Sequence, residues 1–216
     1  MERRTALKNM GMVFGYAVAT PTVLGIVQSC KGKEVVDWTP SFFSKEQGAV
    51  LHSLLDILLP KTDTPSATEV NVHLFIDQFA NEVLPVEQGE MMKMMFEKFG
   101  NALLADAGKE SLSDLDAEEI SPVFAKYLTK RTQEQEEAHE EAMNQFVEST
   151  MSGESATLDD EVACYLFANN LRDITIWGYR SSEYVGEEVL AYLPIPGEYV
   201  ACGDVNELTG GKAWSL

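Results

Sequence analysis

Imidazoles, the side chains that titrate nearest neutral pH and bind transition metals most often, are few in this chain. Its three histidines are His52, His73 and His139. The run His139-Glu140-Glu141-Ala142-Met143 lacks the second histidine that a zinc-protease helix needs to place two imidazoles on one face. Glu136, Glu137 and Glu140 stand beside it, which is the composition of a carboxylate-rich metal site and, more commonly, of a solvated acidic helix; the second is the expectation here. His52 flanks an apolar helical stripe and reads as a packing residue, and His73 opens the next helix. No G-x-G-x-x-G follows a strand pattern, no C-x-x-C-H occurs, and no G-x-S-x-G elbow is present. Thr209-Gly210-Gly211-Lys212 has the composition of a phosphate loop without its spacing. No catalytic, cofactor-binding or metal-binding residue is therefore assigned to this chain.

Two residue clusters point to partners instead. Met91, Met92, Met94 and Met95 fall on two sides of one helical pattern, which suits core filling on one side and an adaptable edge on the other. Trp177, Tyr179, Tyr184, Tyr192, Tyr199 and Trp214 gather near the C-terminus, in a stretch broken by Pro194, Pro196-Gly197, Gly203 and Gly210-Gly211. Aromatics in a loop-rich tail favour an interface, with Trp177, Tyr179, Tyr192, Pro196, Gly197, Tyr199 and Trp214 as its candidate residues.

The elements that must carry these residues are helical. Ser44 with Gln47 makes a capping box, and Val50, Leu51, Leu54, Leu55 and Leu58 then recur at helical spacing up to Pro60. Val72, Phe75, Ile76, Phe79 and Val83 form a second stripe ended by Pro85, and Met91 to Leu103 a third with Gly108 beyond it. Pro122 reads as the opening of a fourth helix through Val123, Phe124, Tyr127 and Leu128. Residues 131–148 are Gln- and Glu-rich and read as an exposed helix. Leu158 to Trp177 is a long helix with Gly178 as its expected C-terminal cap. The fold class expected is mainly α, a helical bundle with a loop-rich C-terminal tail.

Composition bounds the rest. The chain has 216 residues, 45% of them hydrophobic, with 35 acids against 16 Lys plus Arg and a formal net charge of -19. Such a chain buries a core and is not a disordered acidic tail. It is not expected to bind nucleic acid, because phosphate recognition needs clustered Lys and Arg.

The first residues read as an address. Glu2-Arg3-Arg4-Thr5-Ala6-Leu7-Lys8 precedes Met10 to Val27, a stretch without charge but diluted by Gly11, Gly15, Thr20, Pro21, Thr22 and Gly25. That layout is a cleaved export signal rather than a spanning helix. Arg3-Arg4 with Leu7-Lys8 resembles the twin-arginine motif, and Val27-Gln28-Ser29-Cys30 resembles a lipobox whose Cys30 carries acyl chains. The expected division is residues 1–29 as signal, 30–41 as tether and 42–216 as one helical domain. The mature body, more acidic still, would be repelled by anionic lipid, so a lipid on Cys30 is what would hold it at a membrane. In the periplasm Cys164 and Cys202 meet oxidising conditions; a disulfide between them and two buried, inert thiols are equally open readings.

Two segments resemble the subunit 3 family of gluconate 2-dehydrogenase. The first is Phe42-Phe43-Ser44-Lys45-Glu46-Gln47 through Leu58-Leu59-Pro60-Lys61-Thr62-Asp63-Thr64-Pro65 to Leu74-Phe75-Ile76-Asp77. The second is Trp177-Gly178-Tyr179 with Gly186, followed by Tyr192-Leu193-Pro194-Ile195-Pro196-Gly197-Glu198-Tyr199 and Cys202. The resemblance implies a subunit without catalytic activity of its own. Its large partner would belong to the glucose-methanol-choline oxidoreductases, hold FAD and oxidise a sugar or sugar acid, with a cytochrome or other carrier taking the electrons. The small subunit would support export, folding and membrane attachment of that flavin subunit. A free-standing envelope lipoprotein that binds or scaffolds is the alternative.

Overall fold

The computed structural model describes residues 38–152, 157–193, 195, 197, 200 and 202–215. The chain divides into two units, Met1–Trp38 and Thr39–Leu216, and the helices α1 to α7 all belong to the second. Arg3, Arg4, Leu7, Lys8 and Cys30, most of the expected tether, and Pro196 and Tyr199 lie outside the described residues.

Helix α1 (Lys45–Leu58) starts where the sequence supplies a cap. The Ser44 side chain accepts from the Gln47 amide and Gln47 Oε1 accepts from the Ser44 amide, so two orphan donors are satisfied reciprocally. Helix α2 (Val72–Glu82) comes after a turn whose Asn71 takes the left-handed conformation, φ 62°. Helix α3 (Val86–Ala107) ends on Gly108 at φ 63°, where a Cβ would be strained. After a short 3₁₀ turn (Leu112–Asp114) come α4 (Ala117–Leu128), α5 (Gln133–Met151) and α6 (Asp160–Arg180). A π-helical turn (Val185–Val189) and a short α7 (Val205–Thr209) complete the order. The fold is mainly α, and the described residues contain no β-strand beyond one parallel bridge between Ala191 and Trp214.

Helix α6 is the spine. At 21 residues it is about 30 Å long. It packs most extensively on α3 and also meets α1, α2 and α4. Phe96 and Phe99 of α3 stack against Phe167 at 4.7 and 5.0 Å between ring centres, and Phe99 reaches Phe124 of α4 at 5.9 Å. All of these rings are buried, with Leu51, Leu54, Leu55, Ile76, Leu103, Ile120 and Leu171 filling the space around them.

The main polar contribution to this packing comes from Asp77. Its carboxylate, 2% exposed, accepts the backbone amides of Ser41 at 2.7 Å, Phe42 at 3.0 Å and Phe43 at 3.3 Å. Three successive donors replace the water lost by a buried carboxylate. The contact fixes the segment entering α1, so Phe43 lands on Phe96 at 5.4 Å.

Two boundaries differ from the sequence reading. Pro122 does not open α4 but lies inside it, because Asp116 caps the helix earlier through the amides of Glu118 and Glu119, with Glu119 closing a capping box. Gly178 does not cap α6; the helix runs through it to Arg180. A Cβ at Gly178 would stand 2.6 Å from Cδ1 of Phe75, so this glycine is required by the close approach of α2 and not by a turn.

Asp77→Ala removes one acceptor shared by three amides, so the loss is expected to be about 3 kcal/mol. A thermal melt of the variant should fall by roughly 6–12 °C, whereas Asp77→Asn, which keeps one acceptor oxygen, should lose less.

Candidate partner-docking surface

The N-terminal half of the surface is built around the loop between α1 and α2. Asp56 of α1 accepts from the Thr68 hydroxyl at 2.8 Å and from its amide at 3.2 Å. Glu69 accepts from the Ser66 amide at 2.9 Å and pairs with Lys61. The segment Lys61-Thr62-Asp63-Thr64-Pro65 is thus closed by one carboxylate, Glu69, which holds Lys61 at its start and Ser66 just past its end. From the end of α6 the Tyr179 hydroxyl donates to the Pro65 carbonyl at 2.8 Å. Tyr179, expected at an interface, is half-buried and spends its hydroxyl on this internal contact.

Beneath this loop two imidazoles meet. His52 and His73 lie edge to face at 5.3 Å between ring centres, with Asp56 and Asp77 as the neighbouring carboxylates. Burial pushes His73 down to about 4, the charge of His52 adds to that shift, and Asp56 and Asp77 oppose it. His73 therefore stays neutral in the folded protein at mild acidity and serves packing. His139 is not simply solvated: it is half-buried against the Tyr165 ring at 5.7 Å, and the Arg131 guanidinium sits on that ring 3.0 Å from its centre. Burial and then the Arg131 charge hold His139 below its usual value. Among the described residues no group of three His, Cys, Asp or Glu is placed to hold a metal ion.

Exposed apolar side chains occur at the end of α6 and in the tail. Phe75, Phe79 and Trp177 form one aromatic cluster, with Trp177 edge-on to Phe75 at 5.0 Å and to Phe79 at 5.5 Å. Gly178 creates this cluster, since only its missing Cβ lets Phe75 approach. Trp177 nevertheless remains 46% exposed. The tail is tied back on itself through the Ala191–Trp214 bridge, in which Ala191 donates to Ala213 at 2.8 Å and Ser215 donates to Ala191 at 2.9 Å. Tyr192 and Trp214 are 50% and 47% exposed, and Leu193, Ile195 and Val200 are exposed as well. Gly197 is exposed. Sequence reading names the aromatic members of this set and passes over Leu193, Ile195 and Val200, which carry no periodicity in a loop.

Cys164 and Cys202 are both free thiols. Cys164 is buried in α6 beside Tyr127, and burial raises its thiol, while Cys202 is exposed on the tail. A sulfur enclosed in the core does not meet one facing solvent, so the bridge is not formed and only one of the pair is a buried thiol. No helix among the described residues is long and apolar enough to cross a membrane.

The described helical body thus leaves Trp177, Tyr192, Leu193 and Trp214 open to solvent. The family model described as gluconate 2-dehydrogenase subunit 3 matches residues 45–197, and the chain belongs to that family. By its description the family supplies one subunit of a multi-subunit dehydrogenase. No curated protein and no solved structure matches the chain.

His73 makes a test of this region by pH. Its folded value lies below its unfolded one, so the unfolded chain takes up a proton first and stability falls as pH drops from about 6.5 to about 4. The loss is bounded by about 3 kcal/mol. Denaturant midpoints measured across that range should decline more steeply for the native chain than for His73→Gln.

Proposed function

We propose that this chain is the non-catalytic small subunit of a periplasmic, FAD-dependent sugar or sugar-acid dehydrogenase of the glucose-methanol-choline type. It carries the flavin subunit through twin-arginine export, supports its folding and holds it at the membrane by a lipid on Cys30. A cytochrome or another carrier then accepts electrons from the flavin. The observation that carries this reading is the exposure of Trp177, Tyr192, Leu193 and Trp214 on a member of a dehydrogenase-subunit family. Large apolar groups left open to water favour a partner that covers them.

The export signal supports the same reading by its chemistry. The twin-arginine route is suited to cargo that is already folded, which matters when a flavin must be inserted before translocation. This chain's Arg3-Arg4 and Leu7-Lys8 would then serve two polypeptides.

Two experiments test the reading. Replacing Arg3 and Arg4 by Lys should strand both the small subunit and the flavin subunit in the cytoplasm, read by fractionation and flavin absorbance; export of the flavin subunit alone would sink the carrier role. Truncation from Tyr192 should leave α1 to α6 folded by circular dichroism yet abolish co-purification of a yellow large subunit. Full activity at the membrane without the tail would reject the docking role.

A further inference from the structure

A second apolar feature starts beside the aromatic cluster, at Phe79, and runs along α3. A groove of about 550 Å³ runs between α3 and α6, floored by Phe79, Leu84, Met91, Met92, Met95 and Ile174. Another, of about 490 Å³, runs between α3 and α5, walled by Met91, Met94, Phe146, Val147, Met151 and Leu158. Both include Gln88 and Met91, so they join into one track along α3. From Gln88 to Lys98 the α3 wall rises about 15 Å, which matches about three turns of a helix laid beside it.

Helix α5 explains why the track stays open. None of its residues is buried, although Ala142, Met143, Phe146, Val147 and Met151 share a stripe at helical spacing. Val147 is exposed and Met151 is 85% exposed. Among the described residues, no helix packs between that stripe and the methionine wall. Unbranched thioether side chains adapt to whatever apolar knobs enter.

Charge selects among occupants. The track is rimmed by the exposed carboxylates of Glu87 and Glu90, while Asp173 at its other end is paired with Arg172. Its lysine, Lys98, is matched by Asp160. A second copy of this chain would bring the same acids and a formal charge of -19 against them, and an anionic lipid surface would be repelled likewise. A segment with apolar residues on one side and Lys or Arg on the other is favoured on both counts.

We propose that the methionine track along α3 receives an amphipathic helix with Lys and Arg on its outer side, supplied by the partner subunit. This rests on the subunit reading for the owner of the helix, while the chemistry of the track stands on its own residues.

The test uses the purified full chain and two labelled synthetic helices, each of about four turns, with the same leucine face, one with Lys and one with Glu at the remaining positions. Anisotropy should give the Lys helix a micromolar Kd and the Glu helix a Kd at least tenfold weaker. Met91→Gln with Met92→Gln should weaken the Lys helix about tenfold with an unchanged melting curve, because both side chains are partly exposed. Glu87→Lys with Glu90→Lys should reverse the preference between the two helices. Equal binding of both helices, binding untouched by the methionine changes, or a dimer of the chain that those changes dissolve would each overturn the proposal. A flavin subunit that co-purifies undiminished with all four substitutions would remove the track and leave the subunit reading. Selective peptide binding without any co-purifying flavin subunit would do the converse, removing the subunit reading and leaving the chemistry of the track.

Discussion

The structure depends on one buried carboxylate. Asp77 is a charge taken out of water, which is costly unless donors surround it, and the donors it finds are the amides of Ser41, Phe42 and Phe43. An irregular segment is thereby held as firmly as a ladder would hold a strand. The consequences run along the chain: Ser44 is placed to cap α1, Phe43 is placed on Phe96, and Phe42 lies across α3 with Lys93 over its ring at 4.4 Å. The acid stands 34 to 36 positions from its donors, so the contact joins α2 to the entrance of α1 and sets how both meet the spine.

The other half of the architecture rests on an absent methyl group. Gly178 lets Phe75 come against the backbone of α6, and the third ring of that cluster, Trp177, is turned outward as a result. The same residue pair thus joins the core and makes part of the surface. Tyr179, next in sequence, reaches the opposite way to the Pro65 carbonyl and holds the loop after α1. Three consecutive residues therefore do three different jobs, one exposed, one contact-forming by its smallness and one hydrogen-bonded inside.

Much of this is legible in the residues. The capping box at Ser44 and Gln47, the apolar stripes of α1 to α3 and the acidic character of α5 come from local chemistry that sequence displays directly. Pro122 misplaces the start of α4 because it is a strong signal that Asp116 and Glu119 override by capping earlier in the chain. Gly178 misleads because a glycine near a helix end has two uses, and only the position of Phe75 across the fold decides between them. The nest around Asp77 and the stacking of Arg131 on Tyr165 join residues far apart in the chain, and no periodicity announces such pairs. The exposed side chains of the tail are half visible: aromatics in a loop draw attention, whereas Leu193, Ile195 and Val200 become notable only through their exposure in the folded chain.

Helix α5 carries a consequence for cooperativity. With no buried side chain, its order comes mostly from local terms, the Thr132 and Gln135 capping box and hydrogen bonds such as Gln133 to Glu137 and Gln145 to Glu141, and its tie to α6 is the half-buried His139 against Tyr165. Such terms sum to little and are scarcely coupled to the aromatic stack of α3, α4 and α6. Residues 133–151 therefore contribute little to the cooperative unfolding of the body, and a melt that follows the aromatic core reports mainly on α1 to α4 and α6.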